Sequence, residues 1–341
     1  MAAEGGTGGG GGGVLKRKAA AAGEPVLVIS GSGYVGQFVI RALLEAGQEL
    51  HTTHRPGRDV SQLPNEVHCH AVDYTDVEAI TALIQELRPG VVVNCGAMGN
   101  LGACEKDPAA AEVANCPRAL VEAMAAEAEG APRLFVHLST DIVFRGDPSE
   151  LYGEETPPAP VNLYGRLKAE FDGWLAAREA PCCVVLRPTN IVGPQHPYFS
   201  TGTKFLQWLD GQLRQDAPVK VFDDEFRNYV WVEDIVAVIL KLAADFPGKA
   251  PAHRLLHCGG PEALNRVDMA KFVLAAKGYK PTYAAPDGSE LPRLVPTPRS
   301  SVNLGYESPL CIRFKSARVE EYLGRPFRRV ADCIKESVDR I

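Results

Sequence analysis

The chain has 341 residues, 45% of them apolar and 23% charged, and a net charge of −6. That supports one large domain, or a core with a smaller lobe, and the acidic balance gives no electrostatic case for binding nucleic acid or an anionic membrane. The nine cysteines are odd in number and lack a CxxC spacing, which reads as reduced thiols, and no stretch approaches the roughly 18 unbroken apolar residues of a membrane span.

Residues 1–24 are a glycine and alanine tail interrupted by Lys16-Arg17-Lys18. Such a segment buries nothing to offset its ordering entropy, so disorder is expected. It has neither the apolar core of a secretory signal nor the composition of a transit peptide, and cytoplasm is the expected compartment. Pro25 to Ser30 reads as a buried strand, and Tyr34 to Ala46 carries apolar residues at helical spacing. Strands follow at 49–53, 67–72, 90–95, 133–139 and 182–186, with helices at 75–87, 108–128 (bent or restarted at Pro117) and 162–177. This alternation predicts right-handed βαβ crossovers and an α/β fold, a doubly wound parallel Rossmann sheet. Beyond Pro188 the rhythm loosens: helices are expected at 203–213, 232–244, 269–277 and 330–341, and strands at 219–222 and 254–258. The division expected is a dinucleotide-binding domain from 25–188 and 227–258, and a discontinuous substrate lobe from 189–226 and 259–341.

Gly31-Ser32-Gly33-Tyr34-Val35-Gly36 matches GxGxxG and lies between a predicted strand and a predicted helix. There Gly33 lets backbone amides approach a pyrophosphate while the helix start adds partial positive charge. No acidic residue closes the second strand. Arg55 and Arg58 follow it instead, and an arginine at that place suits a 2′-phosphate, favouring NADP over NAD; two solvated loop arginines are the plainer alternative. Asp73, after the third strand, either reaches the adenine or caps the next helix.

Ser139 and Thr140 end the fifth strand, where an open α/β sheet presents its ligand crevice. Adjacent residues on a strand point to opposite faces, so one of these hydroxyls is expected to face a ligand. Tyr164 and Lys168 are four apart on a predicted helix, on one face. An ammonium beside a phenol favours phenolate, so Lys168 is expected to lower the Tyr164 pKa toward neutral, suiting it to proton transfer. His68-Cys69-His70 has metal-ligand chemistry, but on a strand the cysteine faces away from the histidines. No metal is expected there.

Together these residues resemble the extended short-chain dehydrogenase/reductase family, in its dTDP-4-dehydrorhamnose reductase-like (RmlD-like) branch. The strings that carry the likeness are Leu138-Ser139-Thr140-Asp141-Ile142-Val143-Phe144, Asn162-Leu163-Tyr164-Gly165-Arg166-Leu167-Lys168, Leu186-Arg187-Pro188-Thr189, Asn94-Cys95-Gly96-Ala97, Cys104-Glu105-Lys106-Asp107-Pro108 and Val232-Glu233-Asp234. The resemblance implies that Tyr164 is the general acid, that Lys168 holds the nicotinamide ribose, and that Thr140 polarises a substrate carbonyl. It implies NADPH reduction of a 4-keto nucleotide-linked deoxysugar, with Asn94, Ala97 and Pro188 to Asn190 lining the cofactor. Ser30 departs from the family's first fingerprint glycine, with Gly31 expected to take over the turn. Ile142 and Asn190 depart at positions that line the sugar. Ile142 also replaces the glutamate that related 4,6-dehydratases use, which favours simple reduction. The branch includes the regulatory subunit of methionine adenosyltransferase, so a dinucleotide-binding partner subunit is the alternative, as is a nucleotide-sugar epimerase. A homodimer or a partner enzyme is the assembly implied, and Lys315 to Arg325 is read as a segment that could dock elsewhere.

Overall fold

The computed structural model describes residues 24–127, 132–246 and 249–341; residues 1–23 of the expected disordered tail lie outside these. Six strands, β1 (Val26–Ile29), β2 (Leu50–Thr53), β3 (Val67–His70), β4 (Val91–Asn94), β5 (Leu134–Leu138) and β6 (Cys182–Pro188), join a seventh, Leu255–Cys258, in one sheet. Its order is Leu255–Cys258, β6, β5, β4, β1, β2, β3, and every neighbouring pair is parallel. The doubly wound Rossmann sheet is therefore present, and its strand order reverses between β1 and β4, the switch point that opens a crevice at the strands' C-terminal ends.

Both faces of the sheet are covered, which is why the central strands read as unbroken apolar runs. Val26 and Val28 of β1 pack with Phe38, Val39, Ile40 and Leu43 of α1 (Tyr34–Glu45) and with the helix Val232–Asp245. Leu27 and Ile29 face the other way, toward Ile80, Leu83 and Ile84 of α2 (Val77–Leu87). β3 is the edge strand, and its sequence Val-His-Cys-His exposes polar groups there, which discourages edge-to-edge pairing. His68 and His70 do share a face, where both stack on His51. All nine cysteines are free thiols.

A helix not foreseen, α3 (Leu101–Lys106), precedes α4 (Pro108–Asn115) and α5 (Arg118–Ala126), and the break between the last two falls at Pro117 as its chemistry requires. Six residues give periodicity too little to register, but the cap was visible: the Asn100 side chain accepts the Ala103 N–H at 2.8 Å. The reading of Asp73 as a helix cap is corrected. Asp76 caps α2, accepting the Ala79 N–H at 3.1 Å, while Asp73 accepts from the N–H and hydroxyl of Thr75 in a local turn.

The rest of the chain is stitched by short pairings: Ile191–Val192 with Val230–Trp231, Val219–Phe222 with Leu294–Thr297, Phe226–Arg227 with Cys311–Ile312, and Thr282–Ala284 with Glu290–Pro292. A separate cluster built on Trp231, Leu209, Met269 and Ile334 forms their core. The helix Arg266–Lys277 starts in a capping box of Asn265 and Asp268. The reading of Lys315 to Arg325 as a segment free to dock elsewhere is also corrected. Val319, on the helix Ala317–Leu323, is wholly buried in the main core, and Arg325 donates to the buried carboxylate of Asp234 at 2.9 Å.

Candidate functional site

The glycine turn leaves β1 at the switch point. Ser30 adopts φ +57°, a left-handed conformation in which a glycine is the easier residue, and its N–H donates to Thr53 Oγ1 at 3.0 Å. The expectation that Gly31 takes over the turn is thereby corrected: Ser30 makes it. Gly31 is needed for space, because a Cβ there would fall on the Thr52 hydroxyl. Gly33 starts α1 with no side-chain cap, so the amides of Tyr34, Val35 and Gly36 enter the first turn without side-chain acceptors. That is where an anion is best placed.

The two arginines after β2 part company. Arg55 is exposed and lies 3.7 Å from Asp73, which weakens its claim on a phosphate. Arg58 turns its guanidinium over the Phe199 ring, 5.2 Å from the centroid. After β4, Ala97 is exposed on the crevice side while Asn94 is wholly buried. Asn94 spends its side chain on the Gly96 N–H (3.0 Å) and on His137 (3.1 Å), so it has no surface to offer a cofactor directly. Pro188 ends β6, paired with Cys258, and the Thr189 hydroxyl donates to the Asn228 carbonyl.

Thr140 and Tyr164 meet at the end of β5. α6 (Leu163–Ala176) begins at Asn162, whose side chain accepts the Gly165 N–H at 2.9 Å. Gly165 lets that first turn lie against the Ile142 carbonyl, which a Cβ would overlap. Of the adjacent hydroxyls, Ser139 donates to Asp172 at 2.9 Å, whereas Thr140, on the side of Tyr164, donates to Asp141 and accepts the Ile142 N–H, both at 3.2 Å. The expected lowering of the Tyr164 pKa is corrected. Loss of water, and then the charge of Asp141, push the phenol well above its ordinary value, outweighing the opposing influence of the Thr140 hydroxyl. Lys168 does lie one turn on, but it is wholly buried, and its ammonium donates to the Leu138 carbonyl at 3.1 Å and lies 3.3 Å from His137 Nε2. Burial lowers its pKa to about 8.

Sequence reasoning missed four supporting residues. Gln37, His137, Asp172 and Arg227 are all buried polar groups inside apolar stretches or beside them, and polarity in a predicted core position is the signal that marks them. His137 stands on β5 between Asn94 and Lys168. Asp172 pairs with Arg187 at 2.8 Å one turn beyond Lys168. Arg227 lies 3.1 Å from Asp141. Among the described residues no group of three or more histidine, cysteine or acidic side chains is placed to hold a metal, and no helix is long and apolar enough to cross a membrane.

The family described as "RmlD substrate binding domain" matches residues 24–340. A probable dTDP-4,6-dihydroxy-2-methyloxan-3-one 4-ketoreductase of Streptomyces antibioticus is 31% identical over 286 residues, 82% of this chain and 86% of that protein. Methionine adenosyltransferase 2 subunit beta of Xenopus tropicalis is 24% identical over 251 residues, 71% of this chain and 73% of that protein. Three further reductases at 31% to 34% identity align over 57% to 63% of their own lengths. In fold, the dTDP-4-dehydrorhamnose reductase of Bacillus anthracis in complex with NADP superposes with a TM-score of 0.72 at 18% identity, over 93% of this chain and 99% of that one.

Proposed function

Because the chain belongs to the RmlD substrate binding domain family, we propose that it is an NADPH-dependent reductase of a 4-keto nucleotide-linked deoxysugar. The observation that carries this reading is the packing of the first turn of α6, which bears Tyr164, against the turn that Thr140 caps at the crevice end of β5. The residues present fit a dinucleotide: α1 starts without a side-chain cap beside a glycine turn, and Arg58 stands after β2 where an acid would repel a 2′-phosphate.

A bound NADPH would supply the hydride. Reduction leaves negative charge on the ketone oxygen, which a proton donor and a hydrogen-bond donor must meet. Tyr164 gives the proton; burial makes the phenol a weaker acid, so the phenolate must be stabilised as it forms. Thr140 orients the carbonyl by turning its hydroxyl from Asp141 to the ketone oxygen. Lys168, carrying its charge below a pH of about 8, stabilises the phenolate left behind and reaches the ribose once its side chain leaves His137. Residues 189–226 and 259–341 grip the nucleotide-sugar. Anaerobic NADPH consumption against a panel of 4-keto nucleotide sugars tests the proposal, and no turnover with any of them sinks it.

A second reading, a dinucleotide-holding subunit of a methionine adenosyltransferase-type partner, draws on the Xenopus relative and on the complete burial of Lys168. A catalytic lysine is better served by access to the crevice than by a berth against His137. Cofactor binding without turnover, together with co-purification of such a partner, favours this reading over the first.

A further inference from the structure

Basic side chains from two distant parts of the chain gather beside the glycine turn. After β6 the segment 194–204 crosses to the first turns of α1 and is fixed there by Gln37. The Gln37 side-chain oxygen accepts the N–H groups of Tyr198 and Phe199, both at 3.1 Å, and its amide donates to the carbonyls of Phe199 (2.9 Å) and Ser32 (3.1 Å). The Tyr34 phenol donates to the Pro194 carbonyl at 2.9 Å. This strap sets the His196 ring edge-on to the Tyr34 ring at 4.9 Å and Lys204 Nζ 5.3 Å from the Tyr34 centroid. It also places Phe199 beneath the Arg58 guanidinium.

Among the described residues none of Arg58, His196 and Lys204 is paired with a carboxylate. Burial pushes His196 down to about 4, and the neighbouring charges of Lys204 and Arg58 push it further in the same direction. Burial likewise lowers Lys204. Gathering the Arg58 and Lys204 charges around a neutral His196 without a counter-ion costs folding free energy, and a bound anion offsets that cost. Tyr34, on which His196 and Lys204 pack, is the first residue of α1, whose start has no side-chain cap.

We propose that Lys204 and His196, carried by the strap 194–204, act with Arg58 to hold a phosphate oxyanion over the glycine turn, and that this anion is the diphosphate of the dinucleotide. The diphosphate is favoured over a 2′-phosphate because Lys204 and His196 both pack on Tyr34, which directly follows Gly33. The inference rests on the dinucleotide reading above and adds to it that the strap, far from the fingerprint in sequence, completes the cofactor site.

Isothermal titration of NADPH, NADH and dTDP into wild type, Lys204→Gln, Lys204→Arg and His196→Gln tests it. Losing a charge-assisted contact should weaken NADPH and NADH alike, by about ten- to a hundred-fold for Lys204→Gln. Lys204→Arg should restore most of that affinity, and His196→Gln should give a smaller loss of the same pattern. dTDP should bind all four proteins equally, and matched melting temperatures would show that the variants fold. Unchanged cofactor affinity in Lys204→Gln overturns the inference, as does a loss confined to NADPH, which assigns the contact to the 2′-phosphate. A loss confined to dTDP overturns it too, in favour of the substrate's diphosphate. A wild type that binds neither cofactor instead sinks the dinucleotide reading itself.

Discussion

The ammonium of Lys168 lies 3.3 Å from Nε2 of His137, and the ring's other nitrogen faces the Asn94 side-chain amide at 3.1 Å. Asn94 is oriented by its oxygen, which accepts the Gly96 N–H, so both groups facing the imidazole are donors. Burial, and then the Lys168 charge, hold His137 well below its ordinary pKa, and it stays neutral. A neutral imidazole accepts at one nitrogen only. One of the two contacts is therefore donor against donor while Lys168 is charged, which weakens the His137 side of the site and leaves the Leu138 carbonyl, at 3.1 Å, as the ammonium's firm acceptor.

That arrangement predicts a trade between stability and activity at Lys168. Folding lowers its pKa from 10.5 to about 8, so between those values the unfolded chain binds the additional proton. Stability consequently rises with pH through that window, and the burial of the charge is at full cost below it. At about 1.4 kcal/mol per pH unit the cost is about 3 kcal/mol. Lys168→Met should raise the melting temperature by a few degrees at pH 7, with the gain shrinking by pH 10, while turnover is lost. Calorimetry of both proteins at the two pH values checks this; a variant destabilised equally at both contradicts it.

Tyr164→Phe keeps the ring and removes the proton donor. Turnover should fall by about 10² to 10⁴, with NADPH affinity little changed, since the phenol adds little to holding a cofactor. Steady-state kinetics beside cofactor titration separates the two quantities. Wild-type turnover in Tyr164→Phe would end the assignment of the tyrosine as acid.

Gln37 should behave as a structural rivet despite its place in the dinucleotide helix. It is wholly buried and serves both the N–H and the carbonyl of Phe199. Gln37→Leu conserves bulk but strips partners from two N–H groups and two carbonyls, some within reach of water, for a loss of about 2–4 kcal/mol. Urea unfolding should show a lower midpoint at unchanged slope. A midpoint within error of wild type would mean that the strap is held by other contacts.

The sheet was legible because burial on both faces writes itself as runs such as Val91-Val92-Val93, and because glycines, prolines and Asn162 punctuate them. The places of Thr140 and Tyr164 were legible for a related reason: one caps the turn just after a strand and the other opens a helix, and local rules fix both. The tyrosine's pKa was not. Helical spacing correctly put Lys168 one turn away, but the direction of its ammonium depends on Leu138 and His137, on a neighbouring strand. The depth of the phenol depends on the whole crevice. The two-residue pairings around Phe226–Arg227 and Cys311–Ile312 left no period to read, and the strap's meeting with Arg58 joins residues about 140 positions apart.

Arg227 joins the turn at Thr140 and Asp141 to the far end of the chain, and its removal should hurt more than removal of its partner. Its guanidinium lies 3.1 Å from Asp141 Oδ2 and donates to the carbonyls of Pro309 (2.6 Å) and Leu310 (3.0 Å), and both side chains are almost fully buried. Burial raises the Asp141 pKa, with Arg227 the largest opposing influence. Arg227→Met leaves that carboxylate buried without its counter-charge and takes a donor from both carbonyls, which costs about 3–5 kcal/mol. Of the two, the Leu310 carbonyl keeps the Phe226 N–H at 2.7 Å. Asp141→Asn is milder, because Arg227 keeps those carbonyls and has Glu225 at 3.8 Å as a second acid. The double variant should therefore be more stable than Arg227→Met alone, since it removes the stranded charge. Because the Thr140 hydroxyl donates to Asp141 at 3.2 Å, loosening Asp141 should also lower turnover with less effect on cofactor binding. Urea unfolding of the three variants gives the ordering directly. If Asp141→Asn proves as destabilising as Arg227→Met, the arginine's acid partner rather than its reach to Pro309 and Leu310 dominates, and the pair is symmetric.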